Sequence, residues 1–208
     1  MRHKNNHKIL AMSLILTFLL TLSLTYAKSV GNDIKNSVLR LHIVANSNSE
    51  EDQNLKLAVR NRIITETSNL FESAASPQQA AEIVSLNLEK ICQIAKEEIK
   101  SQGFDYSVNA RLGEFSFPTK NYGDITLPSG KYNALRIEIG SASGKNWWCV
   151  MYPPLCFTDG ILSASENAKL KLKNSLSKEE YSLITKNNTG AIPVEIRFKL
   201  VEILQNIF

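Results

Sequence analysis

The sequence predicts an α+β fold, with one mixed or antiparallel sheet of about four to five strands packed against two main helices. Three observations carry it. A strand-like alternation at residues 38–44 comes first, two capped helical stretches follow, and three or four alternating segments with short connections complete the set. Such an order buries the apolar side of the sheet under the helices.

In the first element Leu39, Leu41 and Ile43 fall on one face and Arg40 and His42 on the other, the two-residue period of a half-exposed strand. Small polar residues at 45–49 then make a turn, and Ser49 with Asp52 three residues on resembles a capping box. The helix this opens runs to about Asn69, with Leu55, Val59 and Ile63 spaced to face the core. Ser76 before Pro77 opens a second helix, which reaches about Gln102 on a stripe of Val84, Leu88, Ile91, Ala95 and Ile99. Gly103 suits its end.

Strand periodicity returns at Tyr106, Val108, Ala110 and Leu112, and Phe115 and Phe117 lead to Pro118, which ends a ladder or marks an edge. Residues 127–130 read as a turn, 132–139 as a strand, and 146–152 as another strand halted by Pro153 and Pro154. Beyond Thr158 the pattern weakens. Residues 163–186 are helical in composition, and Val194, Ile196, Phe198 and Leu200 alternate as a strand.

The N-terminus has its own logic. Arg2, Lys4 and Lys8 precede an apolar run at 9–24, and Thr25-Tyr26-Ala27 offers Ala27 as the last residue before a peptidase cut. The run is short for a spanning helix, yet an uncleaved anchor is the alternative. The expected divisions are a signal peptide at 1–27, a mobile polar leader at 28–37, a domain at 38–157 and a helix–strand extension at 158–208. Three of the 24 basic residues and none of the 20 acidic ones lie in the signal, so the remainder carries 21 against 20. A near-neutral domain lacks the basic footprint of a nucleic-acid binder. Contact with a membrane is expected only through the signal.

Catalytic chemistry is sparse. His42 is the one histidine outside the signal and reads as an exposed surface group. No nucleophile motif, phosphate loop or metal-ligand spacing accompanies it, so no catalytic residue, metal or cofactor is expected. Glu114, Asp124 and Glu138 lie in the strand region and could flank a glycan, but solvated surface carboxylates are the simpler reading. Cys149 and Cys156 flank the two prolines, and a fold-back there would bring them to bridging distance. The other reading is two buried thiols. Cys92 borders a helix stripe as a free thiol. Trp147 and Trp148 must point to opposite faces of a strand, so one can enter the core while the other anchors a partner; the alternative covers both.

The segment LRLHIVANSNSEEDQ at 39–53 resembles the start of the stage II sporulation protein R family. So do FPTKNYG at 117–123, LPSGKY at 127–132 and NWWCVMYPPLCF at 146–157, all in the family's order and behind a signal sequence. Asn48 stands where the family often has Asp. The resemblance covers about 39–157, and nothing is carried over beyond Thr158. It implies a protein exported from the forespore into the space between forespore and mother cell. There it would trigger a membrane-embedded aspartic protease, from its extracytoplasmic face, to process the precursor of a mother-cell sigma factor. It implies no catalytic residues. Two surfaces are then expected to meet the partner: the corner of Asn46, Ser47, Asp52 and Gln53, and the platform of Trp147, Trp148, Tyr152, Pro153 and Pro154, with Pro118 and Tyr122 alongside. An envelope-acting enzyme of peptidoglycan-hydrolase type and a septal structural protein are the alternatives.

Overall fold

A computed structural model describes residues 2–71, 73–155 and 166–185, with side chains from residue 10 onward. Helix α1 (Arg2–Asn36) leads into strand β1 (Leu39–Val44), helix α2 (Glu50–Thr67) and a 3-10 turn (Ser68–Phe71). Helices α3 (Pro77–Leu86) and α4 (Leu88–Ser101) follow. Then come β2 (Val108–Phe117), β3 (Lys120–Tyr122), β4 (Ile125–Leu127), β5 (Gly130–Ile139) and β6 (Asn146–Tyr152), and finally α5 (Glu166–Asn174) and α6 (Lys178–Ile184). The main sheet has the order β2-β5-β1-β6. β1 runs parallel to β5 and antiparallel to β6, and β2 is antiparallel to β5. The sheet is therefore mixed, as expected.

Local chemistry sets the helix ends. Ser49 Oγ accepts from the Asp52 amide at 3.2 Å, and Ser76 Oγ accepts from the Gln79 amide at 3.2 Å with Pro77 at the first helical position. Each bond satisfies an amide that the helix leaves unpaired. The single long helix expected from Ser76 to Gln102 is two. Asn87, at φ −110° and ψ 13°, breaks it, and its side chain amide donates to the Ile83 carbonyl at 2.8 Å. Asparagine competes for backbone in this way, and a stripe counted across one residue does not register the break.

Leu41, Ile43, Leu135, Ile137 and Ile139 meet Leu55, Val59, Ile63, Val84, Ile91, Ala95 and Ile99 in one core beneath the helices. The opposite face is covered only in part. The small β3–β4 sheet lies over the Arg40 end of β1, and the Ile125–Thr185 bridge and the Lys169–Asp124 ion pair (3.1 Å) tie it to α5 and α6.

Two expectations are overturned. Arg40 is fully buried under this layer, and His42 is 3% exposed because the Trp148 ring stacks on it and Phe117 meets its edge. Alternation alone cannot distinguish a solvated face from one roofed by distant chain. Arg40 lies against three rings, with its guanidinium carbon 4.1 Å from the Phe117 centroid, 4.6 Å from that of Tyr132 and 5.7 Å from that of Tyr122. It donates to the Tyr122 hydroxyl, and its Nε to the Cys149 carbonyl at 3.4 Å.

The leader is also not the mobile linker expected. Residues 28–36 continue α1, and Val30, Ile34 and Val38 enter the core. Val30 and Ile34 make a single i,i+4 pair on α1, too short a stripe to stand out among polar neighbours, and Val38 follows beyond the helix end. α1 is the one helix among the described residues long and apolar enough to cross a membrane, which fits a signal sequence or an anchor. The expected strand at 194–200 lies outside the described residues. Ile34→Ala should lower stability by about 2–4 kcal/mol in urea unfolding of the detergent-solubilised chain; a loss well below 1 kcal/mol would show that the 28–36 stretch does not dock.

Candidate functional site

The Asn46 corner is a latch between two loops. Asn46 Nδ2 donates to Asp52 Oδ2 at 2.8 Å, while its Oδ1 accepts from the Ser141 amide at 2.9 Å. Its carbonyl accepts from the hydroxyls of Ser141 and Ser143, both at 2.7 Å. Asn48 Oδ1 takes the Lys145 amide at 2.8 Å, and Gln53 Nε2 reaches the Ser47 carbonyl at 2.8 Å. Lys56 Nζ closes the set on Gln53 Oε1 (2.6 Å) and the Lys145 carbonyl (3.2 Å). Gly144 is needed here, since a Cβ would sit 2.1 Å from the Ser47 carbonyl oxygen. Burial pushes the Asp52 carboxyl up, but hydrogen bonds from Ser47, Asn46 and Tyr106 outweigh it and hold the group below its usual value. The polar residues that exceed a plain turn's needs are thus consumed internally. Exposed Asn48, Ser49, Glu50 and Glu51 are what the corner shows to solvent.

Strand register builds the second feature. On the face away from the helices, Arg111 lies opposite Arg136, Arg136 opposite His42, and His42 opposite Trp148, a row crossing all four strands. The neighbouring row is Asn109, Glu138, Val44 and Asn146. His42 stacks on Trp148 with centroids 3.8 Å apart and planes at 19°, and Phe117 meets its edge at 5.9 Å. Its Nε2 hydrogen-bonds Asn146 Oδ1 at 2.7 Å, so Nε2 carries the proton and the buried Nδ1 keeps a lone pair without a partner. Arg136 and Arg111 both reach Glu138 at 2.9 Å.

The tryptophans part as strand geometry requires. Trp148 faces this row, and Trp147 faces the helix side, where the Arg60 guanidinium lies 4.3 Å from its ring centroid. Both are half-buried. The expected platform does not hold together. Tyr152 is buried with its hydroxyl on the Ala74 carbonyl at 2.9 Å, Pro153 is buried, and Pro154 is exposed at the far end of β6. At about 3.3 Å per residue, that end lies roughly 20 Å from Asn146. Tyr122 is buried against Arg40, while Pro118 is exposed. What the fold does bring together is the corner and Trp148, because Lys145 hydrogen-bonds Asn48 and Asn146 pairs with Val44. Arg111 and Arg136 escaped sequence reasoning, since only the register of distant strands places them beside His42.

The carboxylates are dispersed. Glu138 shares the His42 face, Glu114 lies on the opposite face 3.9 Å from Lys131, and Asp124 sits in the β3–β4 turn on Lys169. Glu114 and Glu138 therefore cannot flank one sugar. Cys92 is a free thiol, and Cys149 is fully buried; Cys156 lies outside the described residues, and with it the expected pairing.

Burial, with Arg136 and Arg40 adding to it, lowers the His42 pKa from 6.5 to about 4, against opposing contributions from Asn146 and Glu138. The unfolded chain takes up the proton first, so stability held above pH 6.5 is lost as pH falls towards 4, by on the order of 3 kcal/mol in full. Urea unfolding across this range should show that slope, and His42→Phe should flatten it. An unchanged slope in the variant would mean that His42 protonates freely in the folded protein.

Residues 35–161 match the family model for stage II sporulation protein R. Stage II sporulation protein R of Bacillus subtilis (strain 168) is 32% identical over 188 residues, covering 84% of this chain and 83% of that protein. No solved structure matches. A family match over the whole mixed sheet and its helices, joined to a relative aligned along most of both chains, settles the kinship: this chain belongs to the stage II sporulation protein R family, and its role is in sporulation.

Proposed function

We propose that the domain is an exported signal, not an enzyme. It is delivered from the forespore into the space between forespore and mother cell. There it binds the extracytoplasmic side of a membrane-embedded aspartic protease and switches it on, so that the precursor of a mother-cell sigma factor is processed. The family match carries this reading. The apolar N-terminal helix suits delivery across a membrane, and the scattered, cation-paired carboxylates suit a protein that acts by contact. No cofactor enters it.

A ligand activates only by binding the active state more tightly than the idle one. About 1.4 kcal/mol of differential binding shifts the population tenfold. Trp148 and the exposed side of the Asn46 corner form the contact in this reading, since they adjoin and are held rigidly. Export also allows a Cys149–Cys156 bridge to persist. Alkylation of the unfolded chain without reductant should then label Cys92 alone; labelling of all three cysteines would remove the bridge.

The deciding test is co-production of the chain with the protease and the sigma precursor in a non-sporulating host, with and without residues 1–27. Precursor shortening is expected only with the exported chain, and Trp148→Ala should abolish it while leaving the domain folded. A folded, exported chain that leaves the precursor intact would overturn the activating role.

A further inference from the structure

On the sheet face away from the helices, the open half carries an uneven charge. The charged residues there are Arg40, Arg111, Arg136 and Glu138, and His42 beside them is uncharged at neutral pH. Arg40 is roofed by the β3–β4 layer. The other two arginines share one carboxylate, and they share it incompletely. Arg111 uses only Nη2 on Glu138, and Arg136 also reaches Glu138 through Nη2, leaving its buried Nε without a partner. A guanidinium has five N–H donors in a fixed fork suited to a second carboxylate.

Accessibility orders the row. The side chain of Arg111 is 53% exposed and that of Arg136 is 28% exposed, whereas Glu138 is only 15% exposed. At the Arg111 end an approaching molecule therefore meets cations before the carboxylate of Glu138, while exposed Glu50 and Glu51 lie on the corner at the Trp148 end. The adjacent row begins with Gly113 and Ala134, and the Phe115 ring leans over Gly113, with the Arg136 guanidinium carbon 5.3 Å from its centroid. At the other end Trp148 presents a half-buried ring, fixed by its stack on His42. The exposed Arg111 fork with its spare donors, the partly exposed Arg136 beside it on the Phe115 ring, and one fixed aromatic ring make a surface complementary to an acidic, partly apolar stretch of protein.

We propose that the row Arg111, Arg136, His42 and Trp148 docks an acidic segment of a protein partner, whose carboxylates bind Arg111 and Arg136 and whose apolar side chain packs on Trp148. The inference rests on the activating role proposed above and supplies the chemistry of the contact. Arg111 acts as the outer clamp and Arg136 as the inner one. His42 positions Trp148 without touching the partner. Rim arginines of this kind act mainly through the association rate, so the contact weakens with added salt.

The experiment uses the full chain in the co-production assay, with Arg111→Glu, Arg111→Gln and, as a charge control on the exposed side of α4, Lys90→Glu. Thermal unfolding identifies any variant that is not folded, and Arg111→Gln stands in if Arg111→Glu fails. Alongside, the detergent-solubilised chain is titrated against a fluorescent, short glutamate-rich peptide carrying one phenylalanine, and against its lysine-rich counterpart. Arg111→Glu should cut precursor processing and glutamate-peptide affinity about tenfold, Arg111→Gln by less, and Lys90→Glu should change neither. If the unaltered chain drives processing and folded Arg111→Glu does so equally well, the activating role stands and the acidic docking face is overturned. If the unaltered chain drives no processing, the activating role fails and the peptide decides. Selective binding of the glutamate-rich peptide, weakened by Arg111→Glu and not by Lys90→Glu, supports the face; no binding, or equal loss in both variants, overturns it.

Discussion

The buried guanidinium of Arg40 is the contact on which the second layer depends. A cation taken fully out of water normally needs a carboxylate, because the desolvation cost is severe. No carboxylate pairs with Arg40 among the described residues. The negative faces of Phe117, Tyr132 and Tyr122 take that place, together with the Tyr122 hydroxyl and the Cys149 carbonyl. Cation–π contacts are worth about 2 kcal/mol or more when desolvated, and three of them converge here. They come from the end of β2, the start of β5 and the β3–β4 hairpin, with β6 supplying the carbonyl. One side chain on β1 thus gathers β2, β3, β5 and β6. It also divides the helix-free face into a roofed half around Arg40 and an open half around His42 and Trp148.

In the role proposed above, the open half would serve as the contact surface. Its parts are held by hydrogen bonds and stacking, so little side-chain freedom is left to lose when another surface arrives. The Asn46 latch contributes by fixing the Ser141–Lys145 connection to the start of α2, which in turn sets where β6 begins. The corner that looked like a binding motif in sequence acts first as scaffold, and its rigidity is what it lends to the neighbouring tryptophan.

How far the fold could be read from sequence follows from how local each cause is. β1, β5, β6 and the helix starts at Ser49 and Ser76 rest on alternation and capping, both decided within a few residues, and they were legible. The β3–β4 hairpin was not, because strands of three residues hold no periodicity and its purpose is to cover Arg40 from 82 residues away in sequence. For the same reason Arg40 and His42 read as a wet face. The break at Asn87 was hidden by an apolar stripe that continues on both sides of it. The candidate site was legible only through Trp148 and the Asn46 corner, since His42 read as an exposed surface group. Arg111 and Arg136 joined it through strand register, a property of pairing between distant segments that no single segment encodes.

The unbroken course of α1 into the core has a consequence for how the chain matures. The predicted cut after Ala27 lies just three residues before Val30, the first buried side chain among the described residues. Removal of residues 1–27 would thus leave the docked Val30–Ile34 turn with the domain and take away none of the described core. Yet the scissile region is helical once that turn has docked, and a protease that reads extended backbone must reach it first. On the export route proposed above, release and tethering would become outcomes of a race: fast docking would keep the domain on a membrane stalk, and fast cutting would free it from the membrane.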